Sequence, residues 1–264
     1  MKDEERFLVE VGIRDVRVPI RASSRVSAEG QSTVAGVSLH ARIMRDFEAA
    51  WIDRFIQILH QSKRDARIEC MRSIVHECRE AFRAELVGLE MSYPVFVQKK
   101  TPVSSETCLV EYACSYSAIF PSVEHGTKVT FTIKVPCITT YPVSEPGGPG
   151  GLLAQLSIVS IKVLSKSDLY PEDLVSIVDA HALAPMYSFL TADDQRAIIE
   201  RIHSQRKTSV VLVDEIREDL ALDKKIDFYT VSCSNFGLLH SFSTLIATEK
   251  NYWSPWNVLE DTEL

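Results

Sequence analysis

A histidine and a tyrosine in this sequence could carry acid-base chemistry on a small molecule. His240 lies in the run from Asn235 to Phe242, and an imidazole can both accept and donate a proton near neutral pH. Tyr141 lies in a loop rich in proline and glycine, where its phenol could act as a hydrogen-bond donor or weak acid. Each also has a structural interpretation, His240 as a hydrogen-bonded core residue and Tyr141 as an aromatic side chain that fills space.

The loop that follows Tyr141 contains the run Gly147-Gly148-Pro149-Gly150-Gly151. Such a run could suggest a phosphate-binding loop. It has neither the Lys-Ser/Thr pair of a P-loop nor a strand-to-helix context, so we interpret it as a mobile hairpin loop that could act as a lid.

Hydrophobic periodicity predicts the elements that position these residues. Apolar residues recur at helical spacing from Met44 to Leu59 and again from Ile68 to Phe82, which predicts two packed antiparallel helices. Strict alternation from Lys128 to Val135 predicts a half-exposed strand, and the β-branched run from Leu152 to Val163 predicts its returning partner. The loop with Tyr141 therefore joins the two arms of a hairpin.

Further elements are predicted towards the C-terminus. Tyr170-Pro171 begins a helix with proline in its first turn, and a second helix runs from Ala192 towards His203. The segment from Ser204 to Thr208 is predicted to be a short linker. Lys225 to Ser234 is predicted to form a strand, and Leu238 to Ala247 the last element.

Composition is that of a packed protein of enzyme size. The chain has 264 residues, of which 45% are hydrophobic and 25% charged, with a net charge of -7. The acidic balance disfavours a nucleic-acid partner. The polar N-terminus and the lack of an apolar stretch of roughly 20 residues predict a cytoplasmic protein without a membrane partner. The six cysteines have no paired spacing, and we expect most to be buried thiols.

Several segments, in order, resemble those of the GTP cyclohydrolase IB family, which is metal-dependent and opens the guanine ring of GTP. The loop Val135 to Gly151 is similar to the family's catalytic loop. The other similar segments are Val11 to Ile13 with Val18 to Ile20, Gln31 to Ala35, Ile52 to Phe55, Ser92 to Lys99 with Pro102 to Ser104, Leu212 to Glu215 and Asn235 to Phe242. Together they extend over most of the chain.

The resemblance implies an α+β architecture, the tandem tunnelling fold. This fold has two β-β-α-α-β-β units, here expected at residues 1–121 and 122–264, with antiparallel sheets and helices on one face. The sheets of several subunits combine into a barrel, which removes unpaired sheet edges. We therefore expect a homotetramer with a small-molecule pocket between subunits.

The positions that the family uses to bind its metal carry other residues here. They are occupied by Val143, Leu153, Gln195, Gly237 and Phe242, while His240 remains and Asp194 lies beside the lost acid. One imidazole and a displaced carboxylate do not make a set of three or four ligands. We therefore predict neither a metal site nor a cofactor.

Other positions retain groups suited to a small polar ligand. Asp214 matches the ring-anchoring glutamate of the family, with Glu215 beside it, although both acids are also typical of the first turn of a helix from Asp214 to Leu222. The substrate-binding residues implied by the resemblance are Gln155, Ser144, Lys99 and Asn235. Lys99 could hold an anionic group or be an exposed lysine at a strand end. Leu156 and Thr191-Ala192 replace family cations, which disfavours a triphosphate.

These observations favour a repurposed, metal-independent biosynthetic enzyme of specialised metabolism. It would catalyse cyclisation, condensation or hydrolysis of a heterocyclic or amide-bearing metabolite. The expected catalytic residues are His240, Tyr141, Asp214 and Glu215. One alternative is a non-catalytic paralogue that binds a purine or pterin or regulates an active homologue. Another is authentic GTP cyclohydrolase activity, which the missing ligands oppose.

Overall fold

A computed structural model describes residues 8–44, 51–62, 65–120, 126–148 and 150–250. The strands are β1 (Leu8–Ala22), β2 (Gln31–Met44), β3 (Asp65–Ala66), β4 (Leu86–Lys100), β5 (Thr107–Phe120), β6 (Lys128–Thr140), β7 (Ala154–Ser165), β8 (Ala184–Pro185), β9 (Ile226–Phe236) and β10 (Thr244–Glu249). The helices are α1 (Trp51–Gln61), α2 (Ile68–Phe82), α3 (Pro171–His181), α4 (Ala192–Ser204) and α5 (Ser209–Leu222).

The hydrogen bonds of the sheet follow the order β10-β9-β7-β6-β5-β4-β2-β1-β3, and β8 pairs with β6. Along the chain, β-β-α-α-β-β occurs twice, with β3, β8 and one further helix added. The predicted α+β class is therefore confirmed.

The chain forms two compact units. The first comprises residues 1–94, 114–131 and 167–169, and the second comprises residues 95–113, 132–166 and 170–264. The predicted division into halves at residues 121 and 122 stays a prediction.

In the first unit, the long strands β1 and β2 pair in antiparallel register from Leu8 opposite Met44 to Ala22 opposite Gln31. Helix α1 packs on α2, and Phe55 and Phe82 bring their ring centroids within 4.6 Å. The apolar stripes predicted from helical spacing are thus core packing.

In the second unit, β7 pairs with β9 so that Ser157 lies opposite Asn235. Strand β10 pairs with the other edge of β9, from Thr244 opposite Asn235. Helix α5 packs on β9 and β10 through an apolar face that buries Leu212 and Ile216. The ends of β7, β9 and β10 therefore meet near the loop that joins β6 to β7.

Four predicted boundaries were wrong. The last element was predicted from Leu238 to Ala247, whereas β10 begins at Thr244 and ends at Glu249. Met44 ends strand β2 and does not begin a helix, and the predicted helical residues 45–50 lie outside the described residues. Strand β7 begins at Ala154, two residues after the predicted start at Leu152. Helix α5 begins at Ser209, so Asp214 and Glu215 lie in its second turn, where the dipole argument for acids does not apply.

All six cysteines are buried free thiols, as predicted. Burial raises the pKa of Cys78 to about 12, because a thiolate would lose its solvation there. Among the helices that the structure describes, none has the length and apolar character needed to cross a membrane.

Candidate functional site

A small cavity of about 140 Å³ opens where the β6–β7 hairpin meets the end of β9. We call it the hairpin pocket, and its lining residues are Tyr141, Pro142, Val143, Gln155, Asn235, Gly237, His240, Phe242 and Thr244. It brings together four of the eight residues singled out from the sequence, namely Tyr141, Gln155, Asn235 and His240. The β6–β7 hairpin places Tyr141, in the loop, beside Gln155, at the start of β7.

Gln155 is held in place by a chain of buried hydroxyl groups. Its Nε2 donates to Thr139 Oγ1 at 3.1 Å, and the hydroxyls of Thr139 and Ser157 lie 2.8 Å apart. Ser157 Oγ in turn donates to Asn235 Oδ1 at 2.8 Å. Because Ser157 donates its single hydroxyl proton to Asn235, the proton between Thr139 and Ser157 belongs to Thr139, and all donors run in one direction. This arrangement leaves Oε1 of Gln155 as an acceptor facing the pocket.

Asn235 completes the chain on the other side. Its Nδ2 donates to Ser209 Oγ at 3.0 Å and to Thr244 Oγ1 at 3.3 Å. The Asn235 side chain is 2% exposed, so both its oxygen and its nitrogen are committed to the protein. Asn235 therefore fixes the floor of the hairpin pocket, and Gln155 is the amide with an unpaired polar atom there.

Tyr141 forms one wall of the pocket. It is buried, and its backbone N–H donates to the carbonyl of Leu153 at 2.8 Å, which closes the hairpin across the loop. A Cβ atom on Gly237 would lie 2.9 Å from Cε2 of Tyr141 and 3.7 Å from Oε1 of Gln155. The tyrosine ring thus occupies the space beside Gly237.

His240 and Phe242 form the rim. Both side chains are exposed, and their rings stack with centroids 4.8 Å apart and planes inclined by 18°. Val143, 78% exposed, also lines the pocket. The rim therefore offers an aromatic surface next to a titratable imidazole.

Ser144 is placed beside the pocket but does not line it. Its hydroxyl and its backbone N–H both bond to the carbonyl of Tyr141, at 2.7 and 3.1 Å. The serine is buried, and its side chain stabilises the turn after Tyr141. In this structure it supports the loop, and its substrate-binding role stays a prediction.

The two adjacent acids lie on α5 and do not line the pocket. Asp214 Oδ1 accepts hydrogen bonds from Arg217 Nε and Nη2 at 2.9 and 2.7 Å. Glu215 pairs with Lys207 and lies 3.3 Å from His181 Nδ1, while Asp219 lies 2.7 Å from His181 Nε2. The structure does not bring either acid together with His240, and their catalytic role stays a prediction.

Lys99 is largely buried at the end of β4. Its Nζ lies 2.5 Å from Asp179 Oδ2, with side-chain exposures of 8% and 20%. Burial raises the pKa of Asp179, and the charge and hydrogen bond of Lys99 act in the opposite direction. The expectation that Lys99 is an exposed lysine at a strand end was wrong. The carboxylate of Asp179 already offsets the charge of Lys99.

The residues of the hairpin pocket do not fit the metal that the family resemblance implies. Among the described residues that line the pocket, His240 is the one imidazole, and none is a cysteine, aspartate or glutamate. Within the described residues, no group of three or more His, Cys, Asp or Glu side chains is arranged to hold a metal ion. We therefore assign no step of the chemistry to a metal.

Asp194, the acid beside the lost ligand position, is fully committed to local structure. It is buried, and it accepts hydrogen bonds from the backbone of Val103, from the backbone and hydroxyl of Ser104, and from Thr191. Burial alone would raise its pKa, but these bonds outweigh that effect and lower the pKa well below its usual value. Asp194 joins the turn after β4 to the capping box of α4.

Sequence reasoning missed Thr139 and Ser209, which complete the hydroxyl chain. Thr139 comes two residues before Tyr141 on β6, and Ser209 opens α5. Strand alternation could have indicated Thr139 as a residue next to the loop. Nothing in the local sequence indicates that Ser209 reaches Asn235.

Comparison with known proteins gives consistent matches. The family described as "Type I GTP cyclohydrolase folE2" matches residues 2–245. GTP cyclohydrolase FolE2 of Geotalea uraniireducens is 28% identical over 242 residues, covering 92% of this chain and 88% of that protein. GTP cyclohydrolase FolE2 of Syntrophobacter fumaroxidans is 29% identical over 242 residues, covering 92% and 93%.

Solved structures support the predicted fold. Uricase from Arthrobacter globiformis superposes with a TM-score of 0.52 at 11% identity, covering 95% of this chain and 98% of that chain. The urate oxidase of Bacillus sp. TB-90 gives a TM-score of 0.54 at 8% identity, covering 92% and 99%. The tunnelling fold is therefore confirmed, and these likenesses concern the fold alone.

The matches correct the functional prediction. A repurposed enzyme of specialised metabolism is contradicted by relatives that are named GTP cyclohydrolase along nearly the whole chain. That prediction gave the substitutions at the family's metal-binding positions more weight than the similarity along most of the chain. The match is to the type I family and does not extend to the IB subdivision, and neither a metal-independent nor a non-catalytic branch finds support. The expectation of a biosynthetic enzyme agrees with the names of the relatives.

Proposed function

Because the chain belongs to the Type I GTP cyclohydrolase FolE2 family, we propose that it hydrolyses the imidazole ring of the guanine base in GTP and releases formate. The family match carries this proposal. The gathering of Tyr141, Gln155, Asn235 and His240 around one cavity supports it from the geometry.

The size of the hairpin pocket favours a single planar ring system as its occupant. Its volume of about 140 Å³ is smaller than the roughly 300–1,000 Å³ of sites that enclose a whole drug-sized ligand. A purine base can enter, while the ribose and phosphates of a nucleotide stay outside. The exposed rings of His240 and Phe242 give the base a surface on which to stack.

The buried amides favour a base with N–H groups on its edge. Asn235 has its polar atoms committed, whereas Oε1 of Gln155 faces the pocket as an acceptor. Among the described residues no group donates to Oε1 of Gln155, so a ligand that excludes water from the pocket should itself donate to this oxygen, because an acceptor left unpaired away from water costs free energy. The N–H and amino groups of guanine are such donors.

Ring opening by water requires proton transfers that one imidazole can perform. One water adds to the carbon between the two imidazole nitrogens, and a C–N bond of the ring then breaks to leave a formamide. A second water hydrolyses the formamide and releases formate, so neither an oxidant nor a reductant is consumed. In this proposal His240 accepts the proton of the attacking water and returns it to the leaving nitrogen. Tyr141 supplies a second donor from the wall.

The proposal is tested by formate release from GTP with His240→Asn and a matched control, His60→Asn. His60 is an exposed histidine at the end of α1, in the other unit of the chain. His240→Asn should lower kcat by roughly 10²- to 10⁴-fold, the usual contribution of a general acid or base, while His60→Asn retains full activity. Wild-type protein that binds GTP and releases no formate would overturn the proposal.

The assembly around the site is also a proposal. A small molecule is the expected partner, and a homotetramer in which neighbouring subunits complete the pocket stays a prediction. Light scattering on the purified chain would measure its mass directly.

A further inference from the structure

The segment between α4 and α5 is fastened to the loop of the hairpin pocket. The backbone N–H of Thr140 donates to the carbonyl of Lys207 at 2.7 Å, and the N–H of Lys207 donates to Thr140 Oγ1 at 2.7 Å. Thr140 immediately precedes Tyr141. These two bonds hold residues 205–208 against the base of the loop.

Arg206 extends this contact to the pocket lining. Its Nη2 donates to the carbonyl oxygen of Pro142 at 3.1 Å, and Pro142 lines the hairpin pocket. The arginine is exposed. A guanidinium has five N–H donors in a planar fork, and the bond to Pro142 uses one of them. Most of the fork is therefore open to a ligand.

Arg206 also differs from other basic residues of this unit in how its charge is compensated. Lys207 pairs with Glu215, Arg217 with Asp214 and Arg196 with Asp193. Within the part of the chain that the structure describes, no carboxylate forms an ion pair with Arg206. An uncompensated cation is thus bonded to a residue that lines the hairpin pocket, a cavity too small for more than the base of a nucleotide.

We propose that Arg206 binds the phosphate groups of the nucleotide whose base enters the hairpin pocket. This inference rests on the proposed function and names the residue that selects a nucleotide over its nucleoside. A planar guanidinium suits this task because two parallel N–H groups can bond two oxygens of one phosphate. Arg206 is a binding residue in this account and takes no part in proton transfer.

The competing interpretation is that Arg206 only steadies the loop through Pro142. Arg206→Gln separates the two, because a glutamine amide can still donate a hydrogen bond but carries no charge. Arg196→Gln is the matched control, since it makes the same change of charge at an exposed arginine of α4 that already has an acidic partner, Asp193.

The measurement is calorimetric binding of GTP and of guanosine, which has the same base without phosphates. Wild type should bind GTP more tightly than guanosine. Arg206→Gln should weaken GTP binding by roughly 10- to 100-fold, the range for a hydrogen bond to a charged group, and leave guanosine binding unchanged. Arg206→Lys should fall between the two, and Arg196→Gln should change neither affinity.

Equal weakening of GTP and guanosine binding by Arg206→Gln would show a loop-steadying role and overturn the inference. Unchanged GTP binding, or a wild type without preference for GTP over guanosine, would also overturn it. Each protein is titrated in a His240→Asn background, in which turnover should be slow, so the binding results are read separately from formate release. A protein that binds GTP through Arg206 but releases no formate contradicts the proposed function and leaves this inference standing.

Discussion

Tyr141 and Gly237 divide one wall of the hairpin pocket between them. A Cβ atom at position 237 would lie 2.9 Å from Cε2 of Tyr141, well inside the roughly 3.5–4.0 Å at which two carbon atoms attract each other best. A large ring at one position therefore requires the absence of a side chain at the other. This pairing sets the width of the cavity that we assign to the base.

Gly237→Ala tests that relationship. The backbone of Gly237 does not have the positive φ that would itself exclude alanine, so the cost should come from Tyr141 alone. We expect weaker guanosine binding and a loss of about 1–3 kcal/mol of stability, as for other overpacked sites. In a Tyr141→Ala background, the same change at Gly237 should lower stability and guanosine affinity only slightly.

Gly147→Ala is the control for this cycle, because a Cβ there meets nothing within 4 Å. Melting temperatures and guanosine affinities of the four combinations of Tyr141 and Gly237 provide the coupling energy. Equal costs of Gly237→Ala in both backgrounds would mean that the ring does not shape the wall.

The stability contributed by Asp194 should depend on pH. Its pKa is lowered in the folded protein by hydrogen bonds from Thr191, Ser104 and Val103, which outweigh burial, relative to about 3.9 in an unfolded chain. A lowered carboxyl pKa stabilises the fold above the unfolded value, and this stabilisation is lost as the pH falls towards the folded value. Asp194→Asn should therefore lower the urea midpoint at pH 7.

The difference from wild type should shrink as the pH falls below about 5, where the unfolded carboxyl begins to bind a proton. Asp193→Asn is the control, because that side chain is exposed and pairs with Arg196 on the surface of α4. A difference that stays constant from pH 7 to pH 3 would contradict the assignment.

Breaking the buried ion pair between Lys99 and Asp179 should lower the stability of the fold. Lys99→Met leaves a buried carboxylate without its partner, and breaking such a pair typically costs about 3–5 kcal/mol. Combining it with Asp179→Leu should restore part of the loss, because no charge is then left alone. Guanosine binding by the folded fraction should be unchanged, and selective loss of binding by a stable Lys99→Met variant would instead favour a role in the site.

The residues of the hairpin pocket that lie on strands or next to them could be predicted from strand patterns in the sequence. Alternation before the loop and a β-branched run after it place Tyr141 and Gln155 on either side of one loop, and the predicted strand from Lys225 to Ser234 ends just before Asn235. Pairing of β7 with β9 then sets Ser157 opposite Asn235. Three of the four gathered residues follow from short-range pattern and register.

The surroundings of the pocket could not be predicted in the same way. Helix α5 begins with Ser209-Val210-Val211, and because β-branched residues are weak helix formers, the sequence indicated a later start near Asp214. Because α5 begins earlier than predicted and Glu215 pairs with Lys207, neither Asp214 nor Glu215 lines the hairpin pocket. The position of Arg206 depends on its own hydrogen bond to Pro142 and on the bonds between Lys207 and Thr140. These partners are more than 60 residues apart in sequence, and no local pattern encodes them.

The most direct test of the account follows the guanine carbon itself. GTP labelled with ¹³C at the carbon between the imidazole nitrogens is incubated with the purified chain, with and without added Zn²⁺, Mn²⁺ or Fe²⁺, and formate is followed by NMR. We predict that the label appears in formate in proportion to the GTP consumed. Label that stays in intact GTP under every condition, in a preparation that binds GTP, would contradict the account.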